Sequence, residues 1–408
     1  MRLVSPTALL LLAPLAFTCA PISVAAQDGP AEPRASSPWL RIGGEASAQW
    51  APEDYGFFND TSYEHNALRL LRLGLSAAVR PDAPVSLLAE VRSENADEPR
   101  FYALLVRFRP TRRWPIDLQA GLVPPVFGAY PGQRYARSGP FLATPIAYQY
   151  LTTLRADSAP GNATDLLRVR GSGWLLRHPL GSSTLAAGLP LIDAQQNDAG
   201  LEARYRGDAV EAAIAWTHGS LCRPRAGLRD DNDGAQISSR VAWRPHPGLV
   251  IGASQARGEW LERNVQRLLR PYGTGPGRQT VWGADAEASA GYWLARAEVV
   301  WSGWSGLPVG PGEAERVVRA RALTLETRFR IRAGVTAGLR GEHLGFDRVQ
   351  ATEGALTSWD APVTRLEGGV SYSPVRHLLV KAGYQRNWRD AGRVRRSGLL
   401  GVQVLAWF

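Results

Sequence analysis

The stretch Ser397 to Phe408, SGLLGVQVLAWF, reads with a period of two. Leu400, Val402, Val404, Ala406 and Phe408 fall on one side; Leu399, Gly401, Gln403, Leu405 and Trp407 fall on the other. Successive side chains of a strand point to opposite faces, so this alternation marks a strand with one unbroken apolar face. Its length suits a tilted strand crossing a bilayer, which needs about 9–11 residues. If one strand crosses a membrane this way, the rest of the chain must supply its partners.

The amino terminus explains how such a chain reaches a membrane. Arg2 is the positive residue of an export signal, Leu9 to Phe17 its apolar stretch, and Val24-Ala25-Ala26 a small-residue cleavage site. Residues 1–26 are therefore expected to be removed. A lipoprotein signal built on Cys19 fits less well, because Phe17 stands where a small residue is needed. Residues 27–38 are polar and proline-bearing and read as a disordered periplasmic lead-in. Residues 39–408 carry the fold.

After removal of the signal Cys222 is the only cysteine, so no intramolecular disulfide can form. No stretch of the mature chain approaches the roughly 18 uninterrupted apolar residues of a membrane-crossing helix. Lipid cannot satisfy the backbone of an open strand, which leaves a closed barrel as the way to cross. The formal charge of +10 is carried by arginine, with Lys381 the one lysine. In a soluble protein that balance would point to nucleic acid. Export and the even spacing of the arginines along strands exclude that partner, and the charge reads as a wall facing water.

From Trp39 onward the period-two rhythm repeats. Leu40, Ile42, Gly44, Ala46, Ala48 and Trp50 alternate with Arg41, Gly43, Glu45, Ser47 and Gln49. Similar runs lead to an all-β transmembrane antiparallel barrel of about 18 strands, with 16 as the alternative. Runs near 167–177 and 182–190 are included in the larger count. Alternate connections are tight and rich in Pro or Gly, as at Arg80-Pro81-Asp82-Ala83 and Ser373-Pro374-Val375-Arg376. The intervening ones are longer, as at 51–66 and 219–234. Short periplasmic turns and long outer loops are the barrel pattern. Trp50, Trp114, Trp216, Trp243, Trp301, Trp304, Tyr372, Trp388 and Phe408 sit near strand ends, where interfacial rings belong.

One connection stands apart. The stretch between Val123 and Leu167 far exceeds the usual loop length, and a loop of that size is functional or disordered. Its aromatic content argues against disorder, so it is expected to fold against the inner wall and narrow the pore. Phe127, Arg134, Tyr135, Arg137, Tyr148, Tyr150 and Arg155 are its candidate constriction residues. Thr144-Pro145 can start a short helix with Ile146, Tyr150, Leu151 and Leu154 on one face.

Charges recur at spacing two: Glu90 and Arg92, Glu202 and Arg204, Arg296 and Glu298, Glu326 and Arg328, Arg340 and Glu342, Arg365 and Glu367. Each pair shares a strand face opposite the apolar stripe, and charge facing lipid is costly, so they point into the lumen. Arg72, Arg107, Arg168, Arg170, Arg240 and Lys381 join them as lumen-lining candidates. Two readings fit. The pairs form cross-strand salt-bridge ladders worth roughly 0.2–1 kcal/mol each, or the arginines set a transverse field that selects anions.

Ala120 to Tyr130, AGLVPPVFGAY, ends a strand and opens the long loop. Through Gly121, Pro125, Phe127 and Gly128 it resembles an element of phosphate-selective porins of the O and P type and their relatives, in which the corresponding loop narrows the pore. The terminal strand likewise resembles the last strand of Gram-negative outer-membrane barrels, whose aromatic carboxy terminus helps recruit the insertion machinery. The resemblance implies a passive channel for small hydrophilic solutes, and the inward arginines give it a mild preference for anions. It also implies a Gram-negative outer-membrane location among lipid and lipopolysaccharide, contact with the insertion machinery through Phe408, and a homotrimer. Leu122 and Val123 stand where a basic residue is often found, so a phosphate site is not carried over.

Other readings find less to stand on. His65, His178, His218, His246, His343 and His377 sit in no local catalytic signature. His343 and its neighbour Glu342 face opposite sides of a strand. No enzyme, cofactor or metal is expected. Asp230-Asp231-Asn232-Asp233-Gly234 lacks the spacing of a calcium loop and reads as a solvated turn. The remaining alternative is a barrel with an occupied lumen, an adhesin or the sleeve of an envelope assembly.

Overall fold

The computed structural model describes residues 39–59, 68–110, 115–133, 136–226, 234–309, 316–351 and 354–408. The export signal and lead-in, Trp114, Arg134, Tyr135 and Asp230 to Asp233 lie outside these residues. Among the described residues no helix is long and apolar enough to cross a membrane.

Sixteen strands close into one antiparallel barrel. They are β1 (Leu40–Trp50), β2 (Leu68–Val79), β3 (Val85–Glu94), β4 (Arg100–Phe108), β5 (Ile116–Val123), β6 (Asp198–Arg206), β7 (Val210–Thr217) and β8 (Gln236–His246). The second half is β9 (Leu249–Glu259), β10 (Arg278–Ala290), β11 (Trp293–Leu307), β12 (Arg316–Arg332), β13 (Val335–Phe346), β14 (Val363–Tyr372), β15 (Leu378–Arg389) and β16 (Arg396–Trp407). Each strand pairs with its neighbours in sequence, and β16 returns to β1 with Glu45 opposite Trp407 and Trp50 opposite Val402. Closure leaves no edge strand, which is what lipid demands. Phe408 completes it: Gly44 N–H donates to the Phe408 carbonyl at 3.2 Å, and Phe408 N–H to Gly44 at 3.0 Å.

The terminal stripe faces outward as its alternation requires. Leu400 is 63% and Phe408 53% exposed, whereas Leu405 and Gln403 are buried. Trp50, Trp216, Trp243, Trp301 and Tyr372 also stand on the outer surface. Trp304 does not: it is fully buried inside, edge-on to Trp359, so it belongs to the core and not to a girdle.

The count is the alternative sixteen and not eighteen. The runs near 167–177 and 182–190 alternate in sequence but do not enter the wall. They belong to a connection that spans residues 124–197, between β5 and β6. Inside it lie the helix α1 (Ala163–Arg168), capped by Asn162 accepting the Asp165 N–H at 2.9 Å, and a two-residue pairing of Ser158–Ala159 with Leu180–Gly181. Leu176 and Ala186 exchange two backbone hydrogen bonds there, a bridge inside the connection and not a wall ladder. The expected helix after Pro145 is one 3-10 turn, Ile146–Tyr148. Beyond it Thr152 and Leu154 exchange backbone hydrogen bonds with Leu189 instead.

The lumen departs from a simple polar interior. Toward the long-loop end the inward positions of β9 to β14 are apolar, among them Ala256, Val281, Val300, Val318, Ala320, Leu344 and Val363. They bury Phe127, Ile146, Tyr148, Leu191 and Ile192 of the long connection. Trp260, Leu261 and Val265 join from the connection that carries the helix α2 (Arg263–Leu269). A hydrophobic core therefore fills one side of the barrel, and burial of this kind contributes about 25 cal/mol per Å².

Strand closure gives a test. A Cβ on Gly44 would overlap the Phe408 ring, whereas a Cβ on Gly341 meets nothing within 4 Å. Gly44→Val is expected to lower the heat-resistant folded fraction on unboiled gels, and Gly341→Val to leave it unchanged. Equal behaviour of the two variants would refute the role given to this contact.

Candidate functional site: the aperture and the loop that narrows it

The loop is launched by two glycines. Gly121, φ +133°, lies near the end of β5, two residues before Val123, where a Cβ would strike the Leu104 carbonyl. Gly128, φ +66°, turns the chain inward where a Cβ would strike the Tyr148 hydroxyl and the Glu298 carboxylate. Only glycine adopts such a conformation without strain. The turn delivers the Gly128 N–H to Ser254 Oγ at 3.0 Å and the Ala129 N–H to Glu298 Oε1 at 3.0 Å. Between the glycines Phe127 is buried, its ring filling the space over Gly283.

From there the wall charges hold the loop by its backbone. Glu367 accepts the N–H groups of Leu142 (3.0 Å) and Ala143 (3.2 Å), and Glu342 accepts that of Ile146 (2.8 Å). In the opposite sense Arg340 donates to the Ala143 carbonyl at 2.6 Å, Arg365 to Thr144 at 3.2 Å, Lys381 to Phe141 at 3.1 Å, and Arg328 to Ser138. Carboxylates take the amide protons and cations take the carbonyls. Each such charge-assisted bond is worth about 1.5–3 kcal/mol. Tyr148 and Tyr150 add side-chain links, the first donating to Glu298 at 2.7 Å, the second accepting from Arg389 at 3.3 Å. Burial, followed by the adjacent Glu298, pushes the Tyr148 phenol well above its ordinary range, so it stays a donor.

The spacing-two pairs divide. Arg92 meets Glu90 at 2.6 Å, Arg204 meets Glu202 at 2.5 Å, Arg328 meets Glu326 at 2.6 Å, and Arg340 meets Glu342 at 3.3 Å, each along its own strand. Arg296 pairs with Glu287 and Glu326, and Arg340 with Glu367, across strands. Glu298 and Glu367 spend themselves largely on the loop.

What the loop leaves open is an off-centre cavity of about 1380 Å³ that opens to solvent. One side of it is wall: Gln49, Arg72, Arg92, Tyr102, Gln385 and Gln403. The other is loop: Tyr130, Ser138, Gly139, Phe141 to Thr144, Gln149 and Gln195. Arg328, Arg340, Lys381 and Glu326 complete the lining, with Asp54 and Asn59. Five cations thus face two carboxylates. Behind them Arg72 is paired with Glu94 at 2.6 Å, and Arg92 lies over the Tyr102 ring, 3.3 Å from its centroid. No described loop residue in this lining is charged, so the loop supplies no acidic face and the charge around the opening has one dominant sign.

Other candidates lie elsewhere. Arg107 sits with Asp117 at the short-turn end, 3.4 Å away. Arg240 is bound to Asp285. Arg168 is an exposed residue of α1 paired with Asp165, and Arg170 reaches Asp390 at 2.9 Å; neither is on a wall strand. Arg155 is buried within the loop, donating to Leu176 (2.6 Å) and Thr184 (2.7 Å), which fixes the loop's own shape. Arg137 lies half-buried on the 3-10 turn Ala136–Ser138. Gln49, Asn59, Tyr102, Tyr130, Gln149, Gln195 and Gln403 line the opening without a mark in the sequence, since neutral polar residues carry no charge at a regular spacing. His343 faces outward, 2.9 Å from Thr364 Oγ1, on the side opposite Glu342. Among the described residues no cluster of metal-ligating side chains occurs.

No protein-family model matches the sequence, and no curated protein matches it either. Solved structures do match in fold. The anion-selective porin from Comamonas acidovorans superposes with a TM-score of 0.55 at 11% identity, covering 90% of this chain and 99% of that one. The outer membrane channel DcaP of Acinetobacter baumannii gives 0.53 at 10% identity over 90% and 97%. The loop L8 deletion mutant of OmpT, an outer membrane protein of Vibrio cholerae, gives 0.54 at 11% over 90% and 99%. The chain has the fold of the outer-membrane porins.

Two outcomes follow from the loop's anchorage. Gly128→Val should undock the turn from Ser254 and Glu298 and raise single-channel conductance; an unchanged conductance would separate the turn from the aperture. Asp360, just before β14, accepts the N–H groups of Thr153 (2.9 Å) and Gly171 (2.8 Å). Burial pushes its carboxyl up to about 6. A folded-state value above the unfolded one, about 3.9, gives a contribution that is complete below pH about 4 and is lost as pH rises through about 6, on the order of 3 kcal/mol. Asp360→Asn should flatten the pH dependence of the unfolding midpoint between pH 4 and 7, and an unaltered slope would overturn the assignment.

Proposed function

We propose that the protein is an outer-membrane porin of a Gram-negative bacterium, a passive channel for small hydrophilic solutes that favours anions. The observation that carries this reading is the off-centre opening lined by Arg72, Arg92, Arg328, Arg340 and Lys381 against Asp54 and Glu326. Glu326 is shared by Arg328 at 2.6 Å, Arg296 at 3.3 Å and Arg340 at 4.0 Å, and the further carboxylates that meet Arg296 and Arg340, Glu287, Glu342 and Glu367, do not line the opening, where five cations stand against two carboxylates. In a wet lumen such a surplus raises the local concentration of anions and excludes cations in a salt-dependent way.

The predominantly positive lining supports selection by net potential, without the transverse field that an acidic face on the long loop would create. The remaining candidate residues act in this reading as the frame of the aperture: the clamps on Glu298, Glu342, Glu367 and Arg365 fix its width. Kinship with phosphate-selective porins rests on Gly121, Pro125, Phe127 and Gly128, whose geometry serves the loop and gives no phosphate site. Recruitment of the insertion machinery through Phe408 and assembly as a homotrimer belong to the same proposal. A non-conducting barrel is the second reading, favoured by the hydrophobic core that fills one side of the lumen.

Planar-bilayer recording separates the readings. Discrete conductance steps with a reversal potential toward the chloride potential are expected in a salt gradient, and no steps would leave the non-conducting barrel. Arg72→Gln with Arg92→Gln should lower the anion-to-cation permeability ratio about two-fold or more. A ratio unmoved by that pair would sink the role given to the wall arginines.

A further inference from the structure

Beside its cations the opening carries a second chemistry. Gln49 of β1, Gln385 of β15 and Gln403 of β16 line it from the wall, and Asn59 and Gln149 line it from two connections. The register joins them to the arginines: Gln49 stands opposite Gln403, and Arg72 stands opposite Ser47, two residues from Gln49. A carboxamide both donates and accepts hydrogen bonds. A simple anion uses donors alone, which the arginines already supply, so five amides add nothing to its passage. They suit a solute whose own groups do both, and a hydroxyl is such a group.

The amides are held together loosely. Asn59 Nδ2 donates to Gln385 Oε1 at 3.2 Å and Gln149 Nε2 to Asn59 Oδ1 at 3.2 Å. Gln385 Nε2 donates to Asn59 Oδ1 at 3.4 Å, and Gln403 Nε2 to Gln49 Oε1 at 3.4 Å. Such bonds are usually about 2.9–3.0 Å long. Entering hydroxyls would therefore exchange long bonds for shorter ones, whereas the ion pair of Arg92 with Glu90, at 2.6 Å, has little to gain.

The connection after β1 places the band. Asp54 Oδ2 accepts the N–H groups of Phe58 (2.9 Å) and Asn59 (3.0 Å) and the Asn59 side-chain amide (3.0 Å), and Arg365 donates to the Phe58 carbonyl at 2.6 Å. Between Asp54 and Asn59, both in the lining, Phe57 takes φ +50°, a left-handed conformation uncommon for a bulky residue. Strain of this kind persists only where the surroundings hold it, and it gathers at sites of function. Here it lays the Phe57 ring flat on Trp174 of the long connection, with centroids 3.7 Å and planes 11° apart. Both rings stay partly exposed, and Tyr55, two residues earlier, is 67% exposed. An aromatic face, negative at its centre, suits the C–H face of a sugar ring.

We propose that the solutes favoured by this opening are monosaccharide acids, with hydroxyls on the amide band, the carboxylate on Arg72 and Arg92, and the sugar ring first collected by Phe57 and Trp174. The inference rests on the opening being the solute path. Its five cations would repel an ammonium group, which sets zwitterionic amino acids aside.

The test is saturation-transfer NMR on the full-length barrel in detergent, which reads millimolar binding without any current. Three probes of similar size separate the contributions: glucuronate, glucose without the charge, and cyclohexanecarboxylate without the hydroxyls. Wild type should bind glucuronate about five-fold or more tightly than either of the others. Gln49→Leu/Gln403→Leu should bind it no better than cyclohexanecarboxylate, and Arg72→Gln/Arg92→Gln no better than glucose. If the wall variants fail to fold, Trp174→Ala, which lies outside the wall, should weaken glucuronate and glucose alike about three-fold. Equal binding of glucuronate and cyclohexanecarboxylate by wild type overturns the proposal, since any carboxylate would then do. Equal binding of glucuronate and glucose overturns it too. Chloride conductance without a preference for glucuronate sinks this inference and leaves the channel standing, whereas the preference without conductance keeps the site and sinks the channel.

Discussion

A chain that leaves its sheet and enters the lumen of a barrel carries peptide groups into a place with no ladder to join. Each buried N–H or C=O left without a partner costs about 1–3 kcal/mol. Here the wall provides the partners, with carboxylates of Glu298, Glu342 and Glu367 for the amide protons and guanidiniums of Arg340 and Arg365 for the carbonyls. The aperture exists because these bonds hold residues 138–146 against β12 to β15, away from β1 to β4. A charged wall is thus first a mount for the loop.

The apolar inward positions of β9 to β14 complete the mount. They turn one side of the lumen into a core of the ordinary kind, closed by Trp260, Trp304 and Trp359 from strands and outer connections. Polar clamps fix register and direction, since each bond has one geometry. The apolar contacts add a stabilisation that grows with the area they bury, about 25 cal/mol per Å². The opening lies on the opposite side, lined by Gln49, Arg72, Arg92 and Gln403.

Much of this was legible from residues alone. The stripe Leu400 to Phe408 faces outward, and the element around Gly121, Pro125, Phe127 and Gly128 does launch a loop into the lumen. Charges at spacing two do point inward, at Glu90 and Arg92 as at Arg340 and Glu342. Other parts misled. The runs near 167–177 and 182–190 alternate like wall strands but lie inside the long connection, where Leu176 bridges Ala186, and a period of two does not by itself tell a wall strand from a loop segment. Trp304 lies near a strand end but inward, and position along a strand does not tell which face an indole takes unless the phase is followed to its end.

What the sequence by itself determined is local and periodic: the strands, their inward and outward faces, the turn asymmetry and the glycines of the loop's launch. These follow from sterics and from the two-residue repeat, which neighbours in the chain suffice to express. The tertiary structure decided the rest. Which charge of a pair meets its strand neighbour and which meets the loop depends on where the loop lies, and Arg296 beside Glu298 illustrates it: the first turns to Glu287 and Glu326, the second to Ala129 and Tyr148. Partners distant in sequence compete for the same side chain, and only closure of the barrel brings them within reach.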